Sequence, residues 1–234
     1  MFYEPELDEG LTILNKTESH HCVKVLRMKE GDKLLITNGK GMLCEADLIT
    51  ADPKGCFIEI TDFKYGYDKR PYTLHIAIAP TKSIDRFEWF LEKATECGID
   101  IITPLLCEHS ERKVIKPYRL KKLVAAAMKQ SCRTFLPELN PLTNFSDFVN
   151  NTENPDYQFI AHCGKGEKLQ LNNLYKSGND IIIAIGPEGD FSDTEISLAN
   201  SAGFQAISMG KYRLRTETAA IAACIQANSL NNLL

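Results

Sequence analysis

Two short apolar runs, each cut off by a glycine turn and followed by a helix start, constrain this chain more than any other feature. The first, Asp180-Ile181-Ile182-Ile183-Ala184-Ile185, is rich in β-branched residues, the pattern of a buried strand. Gly186-Pro187-Glu188-Gly189-Asp190 then stops both strand and helix. Ser192-Asp193-Thr194-Glu195 reads as a capping box opening a helix to about Ala202, with Gly203 as its stop. The second run, Phe204 to Met209, ends at Gly210, and Thr216-Glu217-Thr218-Ala219-Ala220 opens an Ala-rich helix. In open α/β sheets, ligands collect at the carboxyl ends of strands. Glycine turns alone account for many such loops, yet a turn needs no carboxylate at Glu188. Nor does a connector need two arginines, a glutamate and two threonines within Arg213–Thr218.

The rest of the chain divides in two. Residues 1–70 read as a small β-rich module, with short strands at Gly10–Leu14, Lys33–Thr37, Met42–Ile49 and Gly55–Ile60. Asn38-Gly39-Lys40-Gly41 is a hairpin signal, and Glu18–Met28 carries Val23, Val25 and Leu26 at near-helical spacing. Close-set short strands suggest a small barrel. Tyr65–Pro71 reads as a linker. Residues 71–234 alternate strands and helices, the signature of an α/β domain with a sheet of about five strands. Its strands are expected at Leu74–Ala79, Ile99–Leu106, Tyr157–Cys163 and the two runs above. Helices are expected from Ser83, as cap, to Gly98, and from Tyr118 to Cys132, and Asn140–Pro155 reads as a connection with a short helix at best.

Composition narrows the class. With 44% hydrophobic and 25% charged residues, the 234-residue chain looks like an ordinary globular protein. No apolar run approaches the roughly 20 residues that span a bilayer. The acidic Met1–Glu6 start is no secretory signal, so the expected location is cytoplasmic, with no membrane contact. The eight cysteines form no C-x-x-C pair and the histidines cluster only at His20-His21, so no metal site is expected. Neither G-x-x-x-x-G-K-[ST] nor G-x-G-x-x-G occurs, which leaves P-loop and dinucleotide readings unsupported.

Ile185-Gly186-Pro187-Glu188-Gly189, Phe191-Ser192, Glu195-Ile196, Met209-Gly210 and Leu214-Arg215-Thr216-Glu217-Thr218-Ala219 together resemble the RsmE family of ribosomal RNA methyltransferases, of the SPOUT superfamily. Lys82–Arg86, Lys93–Gly98, Ser110–Arg112 and Gln130–Arg133 extend the resemblance over nearly the whole chain. It implies an α/β fold with an N-terminal PUA-like β-barrel for RNA and a C-terminal domain tied in a trefoil knot. It further implies S-adenosylmethionine as cofactor, held by the knot's loops, and Gly164-Lys165-Gly166 stands where the family's first cofactor loop falls. The implied reaction is methylation of uridine N3 in the decoding region of 16S rRNA of the small ribosomal subunit, by a homodimer built partly on helix Thr218–Leu230. The family pattern has glycine where this chain has Asp190 and Cys132, glutamate at Lys129, and an arginine near the Phe2-Tyr3 terminus.

On this reading Ile185, Gly186, Glu188, Gly189, Met209, Gly210, Leu214, Thr218 and Ala219 bind the cofactor. Removing the N3 proton leaves charge on the base oxygens, which Arg215 is placed to stabilise, with Glu217 the weaker candidate for the proton. A carboxylate in a first helical turn also serves its helix dipole, which is the plainer role for Glu217. The candidate RNA contacts are Arg27, Arg112, Lys113, Arg133 and Arg213. Segment Ser110–Arg133 holds Arg112, Lys113, Lys116, Arg119, Lys121, Lys122, Lys129 and Arg133 against Glu111 alone, in a chain of net charge −4. It is either a solvated helix face or a phosphate track. The alternative functions are a non-catalytic RNA-binding or assembly protein of the same fold, and a methyltransferase acting on another RNA position.

Overall fold

The computed structural model describes every residue except 8, 9, 153, 154 and 234. Those positions fall in the first expected domain, the 140–155 connection and the end of the second domain, and lie outside the described residues. The chain forms two compact units, Met1–Lys69 with Ala125–Leu136, and Arg70–Val124 with Pro137–Leu234.

The first unit is built on β1 (Phe2–Tyr3), β2 (Leu11–Ile13), α1 (Lys16–His20), β3 (Lys33–Thr37), β4 (Leu43–Thr50) and β5 (Phe57–Lys64). Its sheet runs β1-β3-β4-β5-β2, antiparallel except where β1 lies parallel to β3. Alternation along the strands sorts the faces, with Leu34, Ile36, Cys44, Ala46, Leu48 and Ile58 inward in one core with Phe2 and Leu14. The Asn38–Gly41 signal is a real hairpin turn. Asn38 Oδ1 accepts the Lys40 and Met42 N–H groups, and a Cβ on Gly41 would sit 2.3 Å from the Phe135 ring. Two expectations need correction. Strand β1 was not foreseen, because two residues carry no periodicity; Phe2 is nevertheless buried opposite Ile36. The expected Glu18–Met28 helix is short and passes into a π-helical turn, His21–Val25, with the Leu26 N–H bonded to His21 O. That extra residue per turn rotates the stripe, leaving Val25 and Leu26 exposed.

The second unit contains β6 (Leu74–Ile78), α2 (Ile84–Cys97), β7 (Ile101–Leu106), β8 (Glu138–Leu139), β9 (Thr143–Asn144), α4 (Phe145–Asn151), β10 (Tyr157–Ala161), β11 (Leu169–Gln170), β12 (Ile181–Ile185), α5 (Asp193–Ser201), β13 (Gln205–Ser208) and α6 (Thr216–Leu230). Helix α3 (Pro117–Gln130) contributes residues through Val124 here and the remainder to the first unit. The sheet is parallel in the order β11-β13-β10-β12-β6-β7-β8, with β9 also on β7. The five strands expected from the sequence are its body, and the two-residue strands extend it. Strand β12 is buried along its whole length, as a continuous apolar run in a parallel sheet should be. Ala77, Ile160, Ile182 and Ala184 pack against Phe148 of α4 and Ala199 of α5. Helix α6 packs on α2, β6 and β12, and its buried Asn228 donates to the Cys97 and Gly98 carbonyls at the end of α2. Those carbonyls have no partner inside α2, so the bond anchors one helix on the end of the other. Gly98 ends α2 in the left-handed conformation, as expected, but the Ser83 side chain makes no cap hydrogen bond. The nearby Thr81 hydroxyl donates instead to the Ser83 carbonyl. No helix among the described residues is long and apolar enough to cross a membrane.

Candidate functional site

Strands β13, β10 and β12 are neighbours and parallel, with Ala161 in register with both Ile185 and Ile207. Their carboxyl ends are therefore level, and the three loops that follow emerge side by side. Between them lies a cleft of about 610 Å³, a size typical of small-molecule sites. Ala161, Ile185, Ile207, Met209, Leu214 and Ala219 give it an apolar lining, while His162, Glu188, Asp190 and Arg215 give it polar groups.

Each loop is held by its own bonds. Gly186 allows the first turn to close, since a Cβ there would stand 3.0 Å from the Phe191 ring and 3.2 Å from the Phe191 nitrogen. The buried Thr216 hydroxyl donates to Gly186 O at 3.0 Å, tying the start of α6 to the end of β12. The Asp190 carboxylate accepts the Cys163 N–H at 2.7 Å and the Phe191 N–H at 2.9 Å, joining the loops after β10 and β12. His162 accepts the Gly164 N–H on Nδ1 at 3.1 Å. Burial, helped by the nearby Lys168 charge and opposed by Asp190, holds its pKa below the ordinary histidine value. The capping box expected at Ser192 and Glu195 is present, and Glu195 also accepts the Glu108 N–H.

Of the expected cofactor residues, Ile185, Gly186, Glu188, Met209, Gly210, Leu214 and Ala219 line the cleft. Gly189 does not; it faces His109, whose Cβ would lie 2.9 Å from an added Cβ. Thr218 is exposed on α6 and also lies outside the lining. Arg215 lines the cleft with an exposed side chain, at the capping position of α6. Glu217 does not line it. Thr216, the first helical residue, lines the cleft, and the next residue of a helix points about 100° away; the Glu217 carboxylate is buried instead, with Oε1 3.8 Å from Arg86 Nε. Glu188 serves the turn in a way the sequence did not reveal, because its Oε1 accepts the Lys82 N–H at 2.9 Å from the loop after β6.

The candidate RNA contacts differ among themselves. Arg213 is exposed in the cleft wall and donates to Glu188 O. Lys113 and Arg27 are exposed, Arg27 with a left-handed backbone. Arg112 is instead a clamp, donating through Nε to Thr81 O and through Nη2 to Lys82 O. Arg133 is largely buried, 3.8 Å from Asp68. Within the basic segment, Arg119 pairs with Glu88 and Lys129 with Glu18, whereas Lys116, Lys121 and Lys122 are exposed. Sequence reasoning missed the cleft residues His162, Cys163, Lys168, Ser208, Tyr212 and Thr216. The end of the third strand was the signal for the first of these; the others depend on the pairing of β13 with β10.

Two family models match the chain: an RNA methyltransferase domain over residues 68–228 and an RNA methyltransferase PUA domain over residues 14–61. The chain is similar to the ribosomal RNA small subunit methyltransferase E of Synechocystis sp., with 30% identity over 96% of this chain and 75% of that protein. Among solved structures it resembles a probable rRNA-methyltransferase from Porphyromonas gingivalis, with 36% identity, a TM-score of 0.92 and coverage of 99% of this chain and 98% of that one. It also resembles the ribosomal RNA small subunit methyltransferase E of Neisseria gonorrhoeae bound to S-adenosyl methionine, with 27% identity, a TM-score of 0.89 and coverage of 98% and 96%. A family model covering most of the second unit, and relatives alike over nearly the whole chain, lead to one conclusion: this chain belongs to the ribosomal RNA small subunit methyltransferase E family.

Proposed function

We propose that this protein transfers a methyl group from S-adenosylmethionine to N3 of a uridine in the decoding region of 16S rRNA. The observation that carries the reading is the cleft at the level ends of β10, β12 and β13, apolar within and edged by Arg215. Its residues fit the cofactor. Small residues at Ala161, Gly186, Gly210 and Ala219 let a ligand approach the backbone, and the apolar side chains suit an adenine.

Bound there, S-adenosylmethionine supplies an electrophilic methyl group on a sulfonium. The protein's part is to hold the uracil with N3 toward that methyl and to stabilise charge on the flanking base oxygens. Arg215 does the second, because its guanidinium is a permanent cation at the cleft. The carboxylates lining the cleft, Glu188 and Asp190, each accept backbone N–H groups, and Glu217 faces Arg86. On this reading the N3 proton leaves to water at the cleft mouth, and Glu217 acts through the structure of α6.

Residues 1–70 form the RNA-binding domain and residues 71–234 the methyltransferase domain on this reading, and the two matched family ranges support it. The loops around Gly186 and Gly210–Thr216 belong to a trefoil knot. The protein works in the cytoplasm as a homodimer through α2 and α6, helices that carry the exposed Trp89 and Ile225.

Calorimetric titration with S-adenosylmethionine, with ATP and NAD as controls, tests the site, and the expected result is selective micromolar binding. Maleimide labelling gives a second readout: the cofactor should shield Cys163, which is exposed in the cleft, and leave the exposed Cys132 unaffected. Mapping N3-methyluridine in small subunits treated with the protein identifies the target. Folded protein that binds no cofactor, alone or with small subunits, would support the non-catalytic reading.

A further inference from the structure

We propose that Tyr212 is the stacking platform on which the RNA substrate lays a base at the mouth of the cleft, an inference that rests on the methyltransferase reading above. Tyr212 lines the cleft yet is 77% exposed. An aromatic ring so exposed contributes little to packing, and its free face is available to a flat partner. Its neighbours are of one kind. Lys211 lies 5.7 Å from the ring centroid, Arg213 borders the same cleft and is held by Glu188 O, and Arg215 follows two residues later. Among the five cleft residues 211–215, three cations thus surround one aromatic, at the place where a base must enter to reach the reacting methyl. Proteins that hold single-stranded RNA combine these two elements, cations along the sugar-phosphate backbone and an aromatic under a base. Glu188 steadies the arrangement, since its carbonyl fixes Arg213 while its carboxylate holds Lys82. The platform acts by position and touches no reacting atom.

The test uses the full-length protein, a short fluorescein-labelled oligouridylate, and the same oligomer with abasic sugars. Tyr212→Ala is expected to weaken oligouridylate binding by about 5- to 150-fold, the range for loss of one base–aromatic stack. Tyr212→Phe should bind within about twofold of the parent, since the ring rather than the hydroxyl stacks. Affinity for the abasic oligomer should be unchanged in both. The salt dependence of binding should keep its slope in Tyr212→Ala and lose about one unit in Arg213→Ala, because only the second removes a phosphate contact. Tyr212→Ala binding oligouridylate as tightly as the parent, or losing affinity equally for the abasic oligomer, overturns the platform and leaves the methyltransferase reading standing. A parent protein that binds neither cofactor nor RNA overturns both.

Discussion

Asp190 and Cys132 show how a single residue can depart from a family pattern for opposite energetic reasons. Both adopt the left-handed backbone, with φ of 66° and 55°, which explains why glycine suits those positions. Cys132 is exposed and nothing offsets its strain, so Cys132→Gly should raise stability by up to about 1 kcal/mol in urea denaturation. Asp190 offsets its strain with a carboxylate that takes two backbone N–H groups. Hydrogen bonds to a charged group contribute about 1.5–3 kcal/mol each, against about 1–2 kcal/mol for the backbone. Asp190→Gly should therefore destabilise the protein by about 1 kcal/mol or more and loosen the loop after β10. Arg215 poses a catalytic question at the same scale. Arg215→Ala should lower kcat/KM by about 100- to 1000-fold and leave cofactor affinity within a few-fold, as separate kinetic and calorimetric measurements would show. Residue types in the Gly186–Ala219 stretch were legible as chemistry in advance. The placement of each residue was not, and Gly189, Glu217 and Thr218 lie outside the cleft lining.

At the scale of elements, long periodic segments were legible and short ones were not. Strand β12 and helices α2, α5 and α6 lie within a residue or two of expectation, because a buried apolar run or a capping box states its structure locally. Strands β1, β8, β9 and β11 span two residues each and exist only because a longer neighbour pairs with them. Strand β6 carries a consequence of burial that no local pattern announced. His75 hydrogen-bonds through Nε2 to the Thr103 hydroxyl at 2.7 Å and meets the Phe148 ring edge-on, and burial pushes its pKa down to about 4. Its unfolded value is near 6.5, so between these values the unfolded chain binds a proton that the folded chain refuses. The contribution is complete above pH 6.5 and is lost as pH falls toward 4, amounting to up to about 3 kcal/mol. Denaturation midpoints measured from pH 7.5 to 4.5 should fall less steeply for His75→Asn than for the parent.

For the whole molecule, the exposed Trp89 and Ile225 on α2 and α6 bear on assembly. If the protein sediments as the dimer proposed above, Trp89→Glu with Ile225→Glu should convert it to a monomer while the circular dichroism spectrum keeps its shape; a parent protein that sediments as a monomer overturns the dimer, and a variant that stays dimeric places the interface elsewhere. Net charge was a poor guide to surface chemistry. Five of the basic segment's eight cations are engaged, Arg112 on carbonyls, Arg119, Lys129 and Arg133 beside carboxylates and Lys122 over the Tyr118 ring, and no charge count distinguishes these from the other lysines. The division into a β-rich module and an α/β domain was legible because hydrophobic periodicity and turn residues act over a few positions. The chain could not announce that Ala125–Leu136 belongs with the first unit. There Gly41 N–H bonds to Thr134 O, and Leu136 N–H to Gly39 O, across more than ninety positions of sequence. Local sequence was enough for the long strands, the glycine turns, the capping box of α5 and the chemistry available at them. Only the long-range pairing placed β13 beside β10, which in turn lies beside β12, so that three loops far apart in the chain share one cleft. Strand order is set by contacts between distant segments, and those contacts leave no periodic trace in either partner.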